Sequence, residues 1–170
     1  MPKAKTPVVK DAISVLKEDH AKVRALLDEL AKSGDKAMAR RVELLQTIER
    51  ELKIHTTIEE EIFYPAFLDA AQKKDDRKLY YEAVEEHHVV STMLPELMGA
   101  EAGSEGFAAK AKVLKELVEH HAGEEEAQMF PRAKKLLGRE ELGRLGERLA
   151  EAKKSLTESV LTKLVELVRP

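Results

Sequence analysis

Residues 55–65 and 121–131 are two copies of one segment. They match at His55 and His121, at two successive glutamates (Glu59-Glu60 and Glu125-Glu126), at an aromatic (Tyr64 and Phe130) and at a proline (Pro65 and Pro131). A looser pair precedes each copy: Glu18-Asp19-His20 runs on to Leu27, Glu29 and Leu30, and Glu85-Glu86-His87 runs on to Leu94, Glu96 and Leu97. His20 and His55 are 35 residues apart, and His87 and His121 are 34 apart. The fold must therefore place two similar hairpins in equivalent surroundings.

Each hairpin reads as a pair of helices. In the first segment Ile13, Leu16, Val23, Leu27 and Leu30 form a helical stripe that His20 joins, with a stop at Ser33-Gly34. The second segment, about 36–72, puts Val42, Leu45, Ile48, Leu52, His55, Glu59 and Ile62 on one face; Pro65 inside it predicts a kink. The third, about 75–98, aligns Val84, His87, Val90, Leu94 and Leu97, with Pro95 set to end or bend it, and residues 99–106 read as a loop. The fourth, about 107–137, aligns Leu114, Leu117, His121, Glu125 and Met129 before Pro131. With charged residues at 36% and aromatics at 4%, the composition is that of amphipathic helices rather than sheets. The predicted fold is all-α: an antiparallel up-down-up-down four-helix bundle over residues 11–138, after a tail at 1–10. Residues 139–170 carry Leu142, Leu145, Leu149, Leu156, Val160, Leu161, Leu164 and Val168 and no histidine. They predict one or two further helices, packed on the bundle or, by self-association, on a neighbouring chain.

The repeat also carries chemistry. Residues four apart on a helix lie one turn above each other, so His55 with Glu59, and His121 with Glu125, can face one ion. Antiparallel packing brings these pairs together with His20 and His87 at mid-height in the interior. Four imidazoles and two carboxylates buried without partners would cost several kcal/mol, and the carboxylates would repel. A pair of divalent ions satisfies them, two histidines to each, with Glu59 and Glu125 bridging. The chain has no cysteine, so donors are nitrogen and oxygen only, and an open N/O site suits iron better than a closed tetrahedral zinc site. Ferritin-like bundles instead use Glu-x-x-His twice; here that spacing occurs once, from Glu85 to His88.

Other residues near the repeat have two readings. His88 and His120 neighbour the candidate ligands in sequence and turn about 100° away, so they belong to the outer layer or the surface unless the register slips. Glu60 and Glu126 supply an extra oxygen, hydrogen-bond an imidazole as outer carboxylates commonly do, or are simply solvated. Tyr64 closes the core with Phe130, or offers its hydroxyl to the site, as Tyr80 and Tyr81 also can.

His20, His55-x-x-x-Glu59, His87 and His121-x-x-x-Glu125, with the Tyr64-Pro65 and Phe130-Pro131 endings, resemble the hemerythrin-like HHE cation-binding family over about residues 11–138. The resemblance implies a non-heme di-iron centre with an oxo or hydroxo bridge that handles dioxygen, peroxide or nitric oxide. The expected activity is peroxide disproportionation by a di-iron oxidoreductase; the alternative is a non-catalytic protein that binds or senses oxygen, nitric oxide or iron. The oxygen-carrying hemerythrins resemble it less well. They place a fifth histidine one turn from the third-helix ligand, where this chain has Ala83 and Ser91. Net charge is -3, with both signs interleaved, so no extended basic face exists to draw in nucleic acid. Nowhere do about 18 apolar residues run together, and no apolar stretch follows the lysines of residues 1–10. A cytoplasmic protein, neither exported nor embedded in a membrane, is expected.

Overall fold

The apolar stripes become helices that begin and end where small polar residues satisfy the free backbone groups. The computed structural model describes residues 10–168, with side chains through residue 159. The tail predicted at residues 1–10 thus lies, apart from Lys10, outside the described residues, as do the side chains of Val160, Leu161, Leu164 and Val168. Helix α1 spans Ala12–Lys32; Asp11 caps it by accepting from the Ser14 N–H at 2.8 Å, and Ser33 ends it. Helix α2, Met38–Ile58, passes through a π-helical turn, Glu59–Phe63, into α3, Tyr64–Ala70. Helix α4 spans Lys74–Met98 and runs on three residues past Pro95. Ser104 caps α5, Glu105–Glu124, which leads through a second π turn, Glu125–Met129, into α6, Phe130–Val168. No strand occurs among the described residues, and none of their helices is long and apolar enough to cross a membrane.

Four helical runs form the predicted bundle: α1, α2 with α3, α4, and α5 with the start of α6. Helix α1 packs on α2 and α5, while α4 packs on α5 and α2. Some faces are set differently from the sequence reading. Val42 is 46% exposed and Leu44 is buried in its place, while Val84 and Leu117 are half-buried beside the buried Ala83 and Val118. These positions sit at the edge of a wide apolar stripe, where a small rotation about the helix axis decides which neighbour turns inward. At the loop end Arg41, buried, donates to Ser33 O at 2.7 Å, Asp35 Oδ1 at 2.9 Å and Ala102 O at 2.6 Å, tying the two hairpin loops together.

Beyond the bundle, Gly138 takes φ +72°, a left-handed conformation that breaks α6. The helix after it lies on the bundle, not away from it. Leu142, Leu145 and Leu149 join one apolar cluster with Ala12, Ile13, Val15 and Leu16 of α1 and with Phe63, Tyr64 and Phe67. A Cβ on Gly146 would stand 2.1 Å from the Lys10 carbonyl oxygen and 2.9 Å from the Ala12 nitrogen, so only glycine allows α6 to approach the start of α1 this closely. Gly143, one turn earlier, has nothing within 4 Å of such an atom. Replacing Gly146 by Ala should therefore destabilise the protein by about 1–3 kcal/mol, as overpacking against rigid backbone does. Gly143→Ala should stabilise it by up to about 1 kcal/mol through helix propensity. Thermal melts of the two variants should move in opposite directions; a Gly146→Ala melt at or above the native one would contradict this packing.

Candidate metal centre

One polar layer interrupts the apolar core. His20 from α1, His55 and Glu59 from α2 and its π turn, His87 from α4, and His121 and Glu125 from α5 and its π turn are all at most 6% exposed. Apolar residues lie on both sides along each helix: Leu16 and Val23 flank His20, Leu52 and Ile58 flank His55, Ala83 and Val90 flank His87, and Val118 and Met129 flank His121 and Glu125. Those flanking residues belong to two separate apolar clusters, and the six polar side chains fill the level between them.

The disturbance expected at Pro65 takes the form of a π turn, and the repeat places its twin before Pro131. The Tyr64 N–H bonds Glu59 O and the Phe130 N–H bonds Glu125 O, each five residues back. Proline has no N–H and crowds the carbonyl four residues before it, so a wider turn just ahead relieves a regular helix that would otherwise break. Each π turn opens on the inward glutamate. It also lets the next residue, Glu60 or Glu126, reach the flank of the same layer.

Within the layer each carboxylate lies between two helices' imidazoles. Glu59 Oε2 is 3.1 Å from His55 Nε2 and 3.3 Å from His87 Nε2. Glu125 Oε2 is 3.1 Å from His20 Nε2 and 3.6 Å from His121 Nε2. His87 Nε2 and His121 Nε2 are 3.1 Å apart. Two buried groupings of donor atoms are close enough for one cation each: His20, His55, Glu59 and Glu125, and Glu59, His87 and His121; a third grouping, Glu86, His120 and Glu124, lies outside the layer at the surface. Glu59 belongs to both buried groupings.

The outer nitrogens face carboxylates in turn. Glu126 Oε1 is 3.0 Å from His20 Nδ1, Glu60 Oε1 is 2.8 Å from His87 Nδ1, Glu86 Oε2 is 2.8 Å from His121 Nδ1, and Asp19 Oδ2 is 3.7 Å from His55 Nδ1. At His20, His87 and His121 the carboxylate is close enough to draw the Nδ1 proton outward and turn the Nε2 lone pair inward, whereas Asp19 and His55 face each other beyond hydrogen-bond distance. The layer then presents acceptors to one another. His20 Nε2, His55 Nε2, both oxygens of Glu59 and Glu125 Oε2 have no hydrogen-bond partner although all are buried. The Tyr64 hydroxyl donates into the group, to Glu125 Oε1 at 2.9 Å, and it lies 3.3 Å from His87 Nε2.

Buried acceptors without donors are costly, and the cost displaces the protonation of the layer. Burial, then the charge of Glu125, pushes the Glu59 carboxyl well above the usual range. Burial works to raise Glu125 too, but the His20 imidazole and the neighbouring His121 outweigh it and hold it at about 2. Burial and the facing His121 lower His87 to about 3, and burial lowers His55. Burial raises the Tyr64 phenol, which keeps its proton to donate. A cation between the inward atoms would give these unpartnered nitrogens and oxygens the positive partner they lack, and the donor chemistry, imidazole and carboxylate without thiolate, fits a divalent transition metal.

Of the other residues singled out in the sequence, Glu60 and Glu126 are the Nδ1 partners just described, and Tyr64 is fully buried against the layer. His88 and His120 are exposed, so the register stands on His87 and His121. Tyr80 stacks edge-on against Tyr64 with ring centres 6.0 Å apart, and Tyr81 is exposed. The sequence reading gave Asp19 and Glu86 no role. Their signal was present in the repeat, where an acidic residue stands just before His20 and before His87.

The hemerythrin HHE cation-binding domain matches residues 11–133. The crystal structure of a hemerythrin HHE cation-binding domain-containing protein, the Rv2633c homolog from Mycobacterium kansasii, superposes with a TM-score of 0.80 at 30% identity, covering 94% of this chain and 95% of that one. A protein named DNA nickase from Nostoc sp. (strain PCC 7120) is 28% identical over 116 residues; these make up 68% of this chain but 31% of that protein, so the match spans about a third of its length.

The metal-free protein should lose stability in both directions of pH. His87 titrates near 3 when folded and near 6.5 when unfolded, so its contribution is complete above about 6.5 and is lost as pH falls toward 3, at up to about 1.4 kcal/mol per unit. Glu59 is raised, so its contribution is complete below about 4.3 and is lost as pH rises through its folded value. Melts of chelated protein across pH should show that Glu59→Gln removes the loss on the alkaline side and leaves the acid limb. Identical profiles for the native and Glu59→Gln proteins would contradict this reading of the layer.

Proposed function

The chain belongs to the hemerythrin HHE cation-binding family, and on that premise we propose that it holds two iron ions across its four helices and reacts with peroxide, dioxygen or nitric oxide. The observation that carries the reading is the position of the two carboxylates. Each lies within 3.6 Å of an imidazole from either hairpin, so Glu59 and Glu125 can be shared between two ions while His20 with His55, and His87 with His121, hold one each. Six donors shared over two ions leave positions for an exogenous ligand, which suits iron better than structural zinc.

Size and position support a small ligand. An internal cavity of about 20 Å³ touches all four imidazoles and is otherwise walled by residues such as Val23, Leu52, Val90 and Val118. That is room for a molecule the size of water. Leu52, Thr56, His87 and Val90 also line a groove of about 450 Å³ between α2 and α4, so these side chains stand between the cavity and that groove. Two irons held by these residues would supply the redox chemistry of peroxide disproportionation, in which one peroxide is reduced to water as another is oxidised to dioxygen. The chain itself supplies orientation through the outer carboxylates, a water-poor apolar wall, and the Tyr64 hydroxyl. That hydroxyl carries a proton beside Glu125 and His87, where the other repeat has only Phe130. Tyr64 is placed as an added oxygen donor or as a proton donor on the His87 side.

Protein loaded with iron should contain about two ions per chain, and Glu59→Ala or Glu125→Ala should each lose more than one. Titration saturating at one ion would contradict the shared carboxylates. Added peroxide should release oxygen faster than the same iron free in solution, and nitric oxide should change the optical spectrum. An optical response to nitric oxide or oxygen without peroxide turnover would favour a binding or sensing role. No response to any of the three would leave a structural metal bundle.

A further inference from the structure

The two carboxylates that precede the first histidine of each hairpin both face the second histidine's Nδ1, but only Glu86 is within hydrogen-bond distance of it, and the two are supported differently. Glu86 crosses to His121 Nδ1 at 2.8 Å with one oxygen, and its other oxygen meets only the exposed His120 Nε2 at 3.3 Å. Asp19, one methylene shorter, reaches His55 Nδ1 less closely, at 3.7 Å with Oδ2, and its Oδ1 is taken by the Lys153 ammonium from α6. Asp19 is 4% exposed, so this lysine is the countercharge of a carboxylate cut off from water. Lys153 lies beyond the break at Gly138, on the helix that Leu142, Leu145 and Leu149 fix to α1, and Ala152 and Leu156 on either side of it pack on the same cluster.

We infer that Lys153 is a positioning residue for the ion held by His20 and His55, and that through Lys153, Asp19 and His55 the docking of the helix after Gly138 is coupled to the filling of that position. The inference rests on the two-ion reading above. A carboxylate orients an imidazole only if its own oxygens are held. With Lys153 on Oδ1, Asp19 keeps Oδ2 toward His55 and has a countercharge in the interior; without it, the carboxylate is left buried and free to turn toward solvent. The other three imidazoles do not depend on the extension in this way. Arg24 holds Glu126 at 2.7 Å behind His20, and Glu60 and Glu86 make close contacts with His87 and His121 directly. Coupling of this kind is reciprocal: an ion that favours the oriented His55 favours the docked helix, and the docked helix favours the ion.

The test is a cobalt titration of the chelated full-length protein against a coloured competitor, followed by visible absorption. Native protein should bind two ions. Lys153→Met should weaken one of them by about 10–100-fold, the usual effect of losing an outer partner, and leave the other within about 2-fold. Lys153→Arg should restore the weakened ion. Asp19→Asn should weaken the same ion, and Lys153→Met added to it should cost nothing more; if Lys153→Met does not fold, the Asp19→Asn and Lys153→Arg proteins carry the test. Hydrogen exchange over residues 139–159 should slow on loading in native protein and lose that response in Lys153→Met. Native protein that takes up no cobalt would overturn the two-ion reading and this inference together. Two ions bound equally well by the native and Lys153→Met proteins, or both weakened alike, would overturn this inference alone.

Discussion

Everything in this fold is arranged around a layer of acceptors that point at one another. Four Nε2 atoms and two carboxylates converge between two apolar clusters; the Tyr64 hydroxyl donates to Glu125, and five of the inward atoms have no hydrogen-bond partner. Protonating Glu59 relieves the repulsion between carboxylates, and at His121 burial works against a proton but Glu86 and Glu125 outweigh it; burial still disfavours charge on His55 and His87. A metal cation supplies positive charge in the form that fits nitrogen and oxygen donors at this spacing.

The surrounding structure serves that requirement in layers. Each π turn gives up regular helix geometry ahead of a proline, and in return sets two successive glutamates against the site, one inside and one at the flank. The flanking carboxylates exchange partners symmetrically: Glu60 and Glu126 serve the first histidine of the opposite or preceding hairpin, His87 and His20, and Asp19 and Glu86 serve the second histidine of their own. The symmetry ends with chemistry. Tyr64 stands opposite Phe130, and Lys153 on Asp19 stands opposite His120 on Glu86. The two halves of the layer therefore differ in proton supply and in charge, which is the condition for two ions to behave differently.

Much of this was legible in the sequence because it rests on short-range periodicity. The spacing of His55 to Glu59 and of His121 to Glu125 fixes two residues on one helix face, and the repeat fixes that the faces meet. The register of His87 over His88, and of His121 over His120, follows from their apolar neighbours. What was not legible depends on distance through space or on small rotations. Val42 and Leu44 compete for one edge of a stripe, and packing decided for Leu44. The roles of Asp19 and Glu86 require knowing which helix stands across from them. Gly146 reads as a weak point in a helix until the start of α1 is seen against it, and Lys153 reads as a solvated lysine until α6 is folded back over Asp19.

The central claim is that these six side chains form a buried site whose unmet acceptors a metal satisfies. It is tested most directly by the melting temperature of one preparation at one neutral pH, loaded and then chelated, with metal content measured in each. Binding to the folded state alone must raise its stability, so the loaded protein should melt higher, while the chelated protein stays largely helical because its two apolar clusters remain. Equal melting temperatures with removal of the metal verified would contradict the account.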